Sequence, residues 1–305
     1  MNAAQLPHDP SWPRAGQWPE RSEHPELTLI GVPTSASSLS PTNAHETPAA
    51  IRAALPRFGV SAMTSSGVLD LQALRVRDVG DLAGVNEPGR EIEAIERIRA
   101  LASEGGVILA LGGDNACTVS TARGVWGETI TEAGLITLDA HHDLRDGISN
   151  GSPVRQLIEA GLDSRRTVQI GIADFANSPE YTRRAIAQGI TIVPRNEISP
   201  DRIPAITAAA LDTAGPGPIH LDIDVDICDR SVAPACPASV PGGISAQELR
   251  ALVRHLVRDP RVRSIDIAEI DASRDTPDQR TVRLGALLVL ECAAALLERR
   301  AGEAQ

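Results

Sequence analysis

From Leu27 onward, short apolar runs alternate with longer amphipathic stretches. The apolar runs predict strands over residues 27–32, 107–112, 135–139, 167–171, 191–194, 219–224 and 262–269. They are short, apolar and bounded by turn residues. Apolar positions recurring every three or four residues predict helices over 47–55, 91–104, 116–125, 154–160, 179–188, 201–213, 246–258 and 280–300. Local chemistry supports several boundaries. Pro48 and Pro179 suit first-turn positions, where the missing N–H costs nothing, and Ser245 with Glu248 three residues on makes a capping-box signature. Strands separated by helices mean βαβ units, hence an α/β fold whose mainly parallel sheet is covered by helices on both faces. No repeat or low-complexity linker interrupts 27–305, which predicts one domain. Residues 1–26 show no periodicity and read as an extension that packs at a subunit contact, with Trp12 and Trp18 as its anchors.

The polar positions that break this pattern cluster where strands end. The run Gly134-Leu135-Ile136-Thr137-Leu138 leads straight into Asp139-Ala140-His141-His142-Asp143. Ligand sites of open parallel sheets lie at that carboxyl edge. A second strand, Ile219-His220-Leu221-Asp222-Ile223-Asp224-Val225-Asp226, brings three more acids. They share one face for as long as the chain stays extended. Carboxylates converging in a low-dielectric site repel strongly unless they are protonated or hold a cation. Acids mixed with one or two imidazoles suit Mn, Fe or another borderline divalent ion, and two ions sharing bridging carboxylates fit best.

Composition narrows the partners. A chain of 305 residues, 42% hydrophobic, can bury a full core as one large domain. Its formal net charge of −11 argues against nucleic acid or an anionic membrane surface. Cys117, Cys228, Cys236 and Cys292 form no CxxC pair and read as buried free thiols in a reducing compartment. With no apolar run of about 18 residues and no signal-peptide pattern, the expected location is the cytoplasm.

Four segments stand at strand ends: Gly112-Gly113-Asp114-Asn115, Asp139–Asp143, Asp224–Asp229 and Asp266-Ile267-Ala268-Glu269. Their order and spacing, DAHxD followed by DxDxxD and the APxCP-like turn Ala233-Pro234-Ala235-Cys236-Pro237, resemble the ureohydrolase superfamily of arginases, agmatinases and formimidoylglutamases over residues 27–300. The resemblance implies a three-layer α/β/α sandwich, two Mn2+ ions per subunit and a homo-oligomer. It implies that Asp139 and Asp224 bridge the ions, that Asp143 completes one site, and that His141 and Asp226 complete the other. It makes Asp143, His141 and Glu269 catalytic, with Glu269 also pairing with the cationic amidinium of a substrate. Aligning Asp224 and Asp226 as the ligand pair leaves Asp222 at a position usually held by a small polar residue, as a buried hydrogen-bonded acid. His142 and His220 are expected to be packed side chains rather than ligands.

Two departures define the subgroup. The family's GGDH motif ends here in Asn115, so the first metal site gains a neutral amide in place of an imidazole and is expected to be weak. The HG[TS]P-like segment reads Asn150-Gly151-Ser152-Pro153. An Asn at that point, with 172–178 and the Cys236-Pro237 turn, resembles the formimidoylglutamases of bacterial histidine degradation. Arg145 and Arg155 lie in the same loop region, and arginine forks bind carboxylates bidentately. With Asn150 and Glu269 they form the expected substrate set. The expected reaction is hydrolysis of a C–N bond in a linear amidine, N-formimino-L-glutamate to L-glutamate and formamide. The alternatives are an agmatinase- or arginase-type guanidino hydrolase that releases urea, and a weakly metallated, non-catalytic homologue.

Overall fold

The computed structural model describes residues 9–18, 22–65, 67–87 and 89–303. In chain order its strands are β1 (Leu27–Val32), β2 (Ser61–Thr64), β3 (Gly67–Asp70), β4 (Val76–Asp81), β5 (Val107–Gly112), β6 (Gly134–Leu138), β7 (Thr167–Ile172), β8 (Thr191–Pro194), β9 (Ile219–Asp224) and β10 (Val262–Ala268). The helices are α1 (Thr47–Ala54), α2 (Glu91–Ala102), α3 (Cys117–Trp126), α4 (Pro153–Glu159), α5 (Pro179–Ala187), α6 (Ile203–Ala214), α7 (Ala246–Val257) and α8 (Arg280–Glu303). All seven expected strands and all eight expected helices form, with ends shifted by a few residues.

Eight strands make one sheet in the order β4-β1-β5-β10-β9-β6-β7-β8. Every pairing in it is parallel. One face is covered by α1, α6, α7 and α8, whose apolar residues join Leu29, Leu109, Leu221, Ile223 and Ile265 in the main core. The other face is covered by α2 to α5, and there the apolar packing divides into two clusters. Between them the central strands carry a column of polar residues that are 0% exposed: Ser264 and Asp266 on β10, His220 and Asp222 on β9, and Thr137 on β6. Asp266, Asp222 and Thr137 stand in register across three adjacent strands. The column ends at the carboxyl edge.

The pattern missed β4 and the antiparallel β2–β3 hairpin for definite reasons. β4 is an edge strand with Arg77, Asp78 and Asp81 in its six residues, and Arg52 of α1 pairs with both aspartates. Charge on an edge strand protects it from further pairing, and it also hides the strand from a hydrophobic reading. Among the described residues of the hairpin only Leu69 packs against the main core, while Met63 and Val68, paired across it, are both exposed. In the N-terminal extension, Trp18 packs against the main core, while Trp12 is exposed and lies under the Arg14 guanidinium. Residues 1–8 and 19–21 of that extension lie outside the described residues.

β1 and β5 stay joined beyond the sheet. Gly113 N donates to Val32 O and Asp114 N to Thr34 O. A Cβ on Gly113 would sit 1.9 Å from Thr34 O, so only glycine lets the two backbones approach. Gly113→Ala is therefore expected to lower unfolding free energy by about 1–3 kcal/mol, the usual range for overpacking. Urea denaturation checks this, and an unchanged midpoint would mean that the two loops separate freely.

Candidate metal centre and active site

The loop after β6 is shaped by its neighbours before it is shaped by any ligand. Ala140 N donates to Asp226 Oδ1 at 2.9 Å, which ties the Asp139–Asp143 turn directly to the end of β9. Asn177 holds the turn from the other side: its Oδ1 accepts from His142 N and its Nδ2 donates to Ala140 O, both at 2.9 Å. Gln169 Nε2 donates to His142 O, and its Oε1 lies 2.6 Å from His142 Nδ1. His142 thus points into α5 and β7, with Nε2 3.2 Å from Thr182 Oγ1. Burial lowers its pKa from the usual value, as suits a neutral packed ring.

His141 turns the opposite way. Its Nδ1 lies 2.7 Å from Asp226 Oδ2 and 3.5 Å from Asp139 Oδ1. Asp139, His141 and Asp226 each offer a donor atom within 4.8 Å of the others, an arrangement that can hold a metal ion. Asp139 Oδ2 is buried with no hydrogen-bond partner. Such an orphaned oxygen is costly unless a cation meets it. The donor set therefore fits a divalent ion.

Electrostatics say the same. Burial, then the charge of Asp226, lifts Asp139 to about 7. Burial likewise pushes Asp143 and Asp224 well above the usual carboxylate range, with Asp139 and Asp226 as their respective charged neighbours. Burial alone would lower His141, yet Asp226 and Asp139 drive it up to about 12. Asp226 moves down despite burial, because His141 faces it. These shifts mark a place that demands positive charge.

Asp226 does not share the strand face of Asp222 and Asp224. The strand ends at Asp224, and Val225–Ile227 form a 3-10 turn whose first N–H bonds are made by Asp224 itself: Asp226 N donates to Asp224 Oδ1 at 2.8 Å. The turn swings Asp226 under Ala140 and His141. Asp222 stays behind in the buried column, where burial and Asp266 push its pKa well above the usual range. His220 is packed there too, 2.8 Å from Ser264 Oγ and 2.9 Å from Asp266 Oδ2, with Trp126 edge-on at 6.1 Å.

Glu269 sits in the left-handed region at φ 65°, as Asp143 does at φ 52°. Backbone strain of this kind persists only where surrounding bonds fix it, and it concentrates at functional sites. Glu269 Oε1 accepts from Asn115 N and from Asn150 Nδ2, both at 2.8 Å. Burial still raises its pKa to about 7 against those two bonds. Asn150 also accepts from Leu39 N, so it joins the 34–39 loop to Glu269. Asn115 places its Nδ2 2.6 Å from Asp143 Oδ2, while its Oδ1 accepts from Thr118 Oγ1. The Asn115 amide thus presents a donor to Asp143, and its oxygen is turned away toward Thr118. Swapping the two ends of the amide is the change that would bring the oxygen round.

A cavity of about 240 Å3 opens over these groups, lined by His141, Asp143, Asp224, Asp226 and Glu269 at its base and by Leu39, Arg145, Asn177, Ser178, Tyr181 and Ala238 toward the mouth. Arg145 is exposed at this mouth, and among the described residues no carboxylate pairs with it. Arg155 departs from the expected substrate set. Its Nε donates to Arg145 O, one Nη pairs with Glu159 and the other caps Gly147 O. All of its reach is used on its own loop and helix, and it does not line the cavity. Asn177, Gln169 and Tyr181 were not singled out from sequence. Neutral side chains that bond to backbone carry no spacing signal of their own.

All four cysteines are free and buried. No helix among the described residues is long and apolar enough to cross a membrane.

Residues 25–295 match the family model described as Arginase family. A formimidoylglutamase of Halalkalibacterium halodurans is 32% identical over 274 residues, covering 86% of this chain and 84% of that protein. A guanidinopropionase of Pseudomonas aeruginosa is 30% identical over 317 aligned positions, covering 100% and 98%. Among solved structures, the formimidoylglutamase of Bacillus subtilis superposes with a TM-score of 0.86 at 28% identity, covering 97% of this chain and 96% of that one. With its parallel sheet, its acidic carboxyl edge and these relatives, the chain belongs to the arginase family of metal-dependent amidinohydrolases.

Proposed function

We propose that the protein hydrolyses an acidic linear amidine, N-formimino-L-glutamate, to L-glutamate and formamide, using a pair of Mn2+ ions held in a single domain spanning residues 27–305. The observation that carries this reading is the polarity of the cavity. Its base holds carboxylates, including Glu269, and its mouth holds the Arg145 guanidinium, which no carboxylate among the described residues meets. A substrate with a cationic amidine head and an anionic tail matches both ends. The relatives that act on formiminoglutamate or on a guanidino acid support the same polarity.

In this reading Asp139 and Asp224 would be shared by both ions, His141 and Asp226 would complete one site, and Asp143 would complete the other. Mixed carboxylate and imidazole donors suit Mn2+. When bound, the ions let water lose its proton near neutral pH. Asp143 then holds and passes on that proton, Glu269 grips the amidinium nitrogens, and Asn150 fixes Glu269 with its 2.8 Å bond. Asn115 steadies Asp143 through its own amide and leaves the ion on the Asp143 side the weaker of the two. A guanidino acid is the competing substrate, because it carries the same two charges. Wild-type protein loaded with Mn2+ is expected to release formamide from formiminoglutamate faster than urea from 3-guanidinopropionate. The reverse order makes the guanidino reading the correct one.

The metal assignment predicts that Asp224→Asn abolishes turnover and lowers bound Mn2+ measured by elemental analysis, since a neutral amide cannot replace a bridging anion. Full metal retention in that variant would remove Asp224 from the site.

A pH dependence follows from the raised acids. Asp139 and Glu269 stand at about 7 in the folded chain. In the unfolded chain they titrate near 4. Without metal, the stability they contribute is full below about pH 4 and is lost as pH rises through about 7. Metal binding needs the deprotonated ligands and relieves their repulsion. Added Mn2+ is therefore expected to raise Tm more at pH 8 than at pH 5.5. An equal rise at both values would show that the ion binds elsewhere.

For the substrate tail, Arg145→Ala is expected to lower kcat/KM for formiminoglutamate roughly 10- to 150-fold, the loss of one charge-assisted bidentate contact. Hydrolysis of a carboxylate-free N-alkylformamidine is expected to stay unchanged. Equal losses on both substrates would remove Arg145 from carboxylate recognition.

A further inference from the structure

Among the described residues the Arg145 guanidinium has no partner, but the backbone that carries it does. Three side chains from two helices bind the segment on either side of it. From α4, Arg155 donates to Arg145 O at 2.7 Å and caps Gly147 O. From α5, Arg184 Nη1 donates to Leu144 O at 2.9 Å and to Asp146 Oδ1 at 2.8 Å. Tyr181, one turn before Arg184, accepts from Asp146 N at 3.4 Å, and the Arg184 guanidinium carbon lies 5.1 Å from its ring centre. Beneath the segment, Arg145 N donates to Gly151 O. A Cβ on Gly151 would meet Arg145 Cδ at 2.8 Å, so the side chain crosses that glycine closely. The arrangement leaves residues 144–147 little freedom and, among the described residues, the guanidinium of Arg145 no partner of its own.

We propose that Arg184 is a positioning residue that sets substrate specificity through Arg145 without touching substrate. This rests on the reading that Arg145 takes a substrate carboxylate. The physical reason is the cost of ordering. A guanidinium on a loose loop must be immobilised when the ligand binds, and that cost is subtracted from affinity; a loop fixed beforehand avoids it. Stability is not a sufficient account of Arg184. Its carboxylate partner Asp146 is 75% exposed, and such surface pairs contribute little to folding. What Arg184 adds beyond that pair is the bond to Leu144 O, one residue from Arg145 and one from Asp143. Arg155, expected from sequence to bind substrate, belongs to the same clamp.

The test is a cycle of four Mn2+-loaded full-length proteins: wild type, Arg145→Ala, Arg184→Met and the double variant. Each is assayed on formiminoglutamate and on an N-alkylformamidine without a carboxylate. Arg184→Met is expected to raise KM for formiminoglutamate about fivefold or more, with kcat and the neutral amidine unchanged. In the Arg145→Ala background the same change is expected to add nothing, because a positioning residue has nothing left to position. Arg184→Lys, which keeps a cation within reach of one carbonyl, is expected to recover part of the loss and serves if the Met variant folds poorly. Unchanged selectivity in Arg184→Met and Arg184→Lys, with Arg145→Ala still selective in its loss, overturns the positioning role and leaves Arg145 in place. Losses that simply add in the double variant overturn it too. Equal handling of both substrates by wild type and Arg145→Ala overturns both readings together.

Discussion

The carboxyl edge of this sheet answers to one constraint: several aspartates buried side by side cannot all be charged without a cation among them. Asp139, Asp143 and Asp224 are lifted far from their ordinary range, and His141 is held as an imidazolium up to about 12. Evicting that positive charge would leave several uncompensated anions in a low-dielectric site. The fold supplies the remaining force. β6 and β9 lie side by side, so their ends must bring the two acidic segments together. The backbone bond from Ala140 to Asp226 then fixes the gap between them.

This places the cost of the site in the scaffold. Asp143 and Glu269 both hold left-handed backbones, and neutral amides keep them there: Asn115 on Asp143, and Asn150 and the Asn115 N–H on Glu269. Neutral donors suit this task, because they orient an acid without cancelling the charge that metal or substrate must meet. The same economy appears at the mouth, where arginines and a tyrosine hold backbone and leave one guanidinium open. Below the site the polar column of Asp222, Asp266, His220 and Ser264 divides the core of one face, so the apolar clusters beside it must do the packing there.

Much of this was legible in the chain. Parallel strands buried on both faces read as near-continuous apolar runs, which is why β1, β5 and β6 stood out, whereas β9 and β10 alternate apolar residues with those of the buried polar column. Acids at the ends of such runs stand out in turn, because nothing in an ordinary core explains them. Strand alternation misled at one point: Asp226 looked coplanar with Asp224, but a 3-10 turn begins between them. β4 escaped notice because an edge strand carries charge. Arg155 looked like a substrate ligand because proximity in sequence does not reveal whether a side chain turns to the cavity or to its own loop. Asn177 and Arg184 bond mainly to backbone atoms, and backbone partners leave no trace in residue spacing.

The measurement that bears most directly on the account is anomalous diffraction at the manganese edge from crystals grown with Mn2+. The account predicts two peaks about 3.5–4 Å apart. Both lie between Asp139 and Asp224; one is completed by His141 Nδ1 and Asp226, and the other, the weaker, by Asp143. Peaks elsewhere on the chain, or none between β6 and β9 at saturating metal, would contradict it.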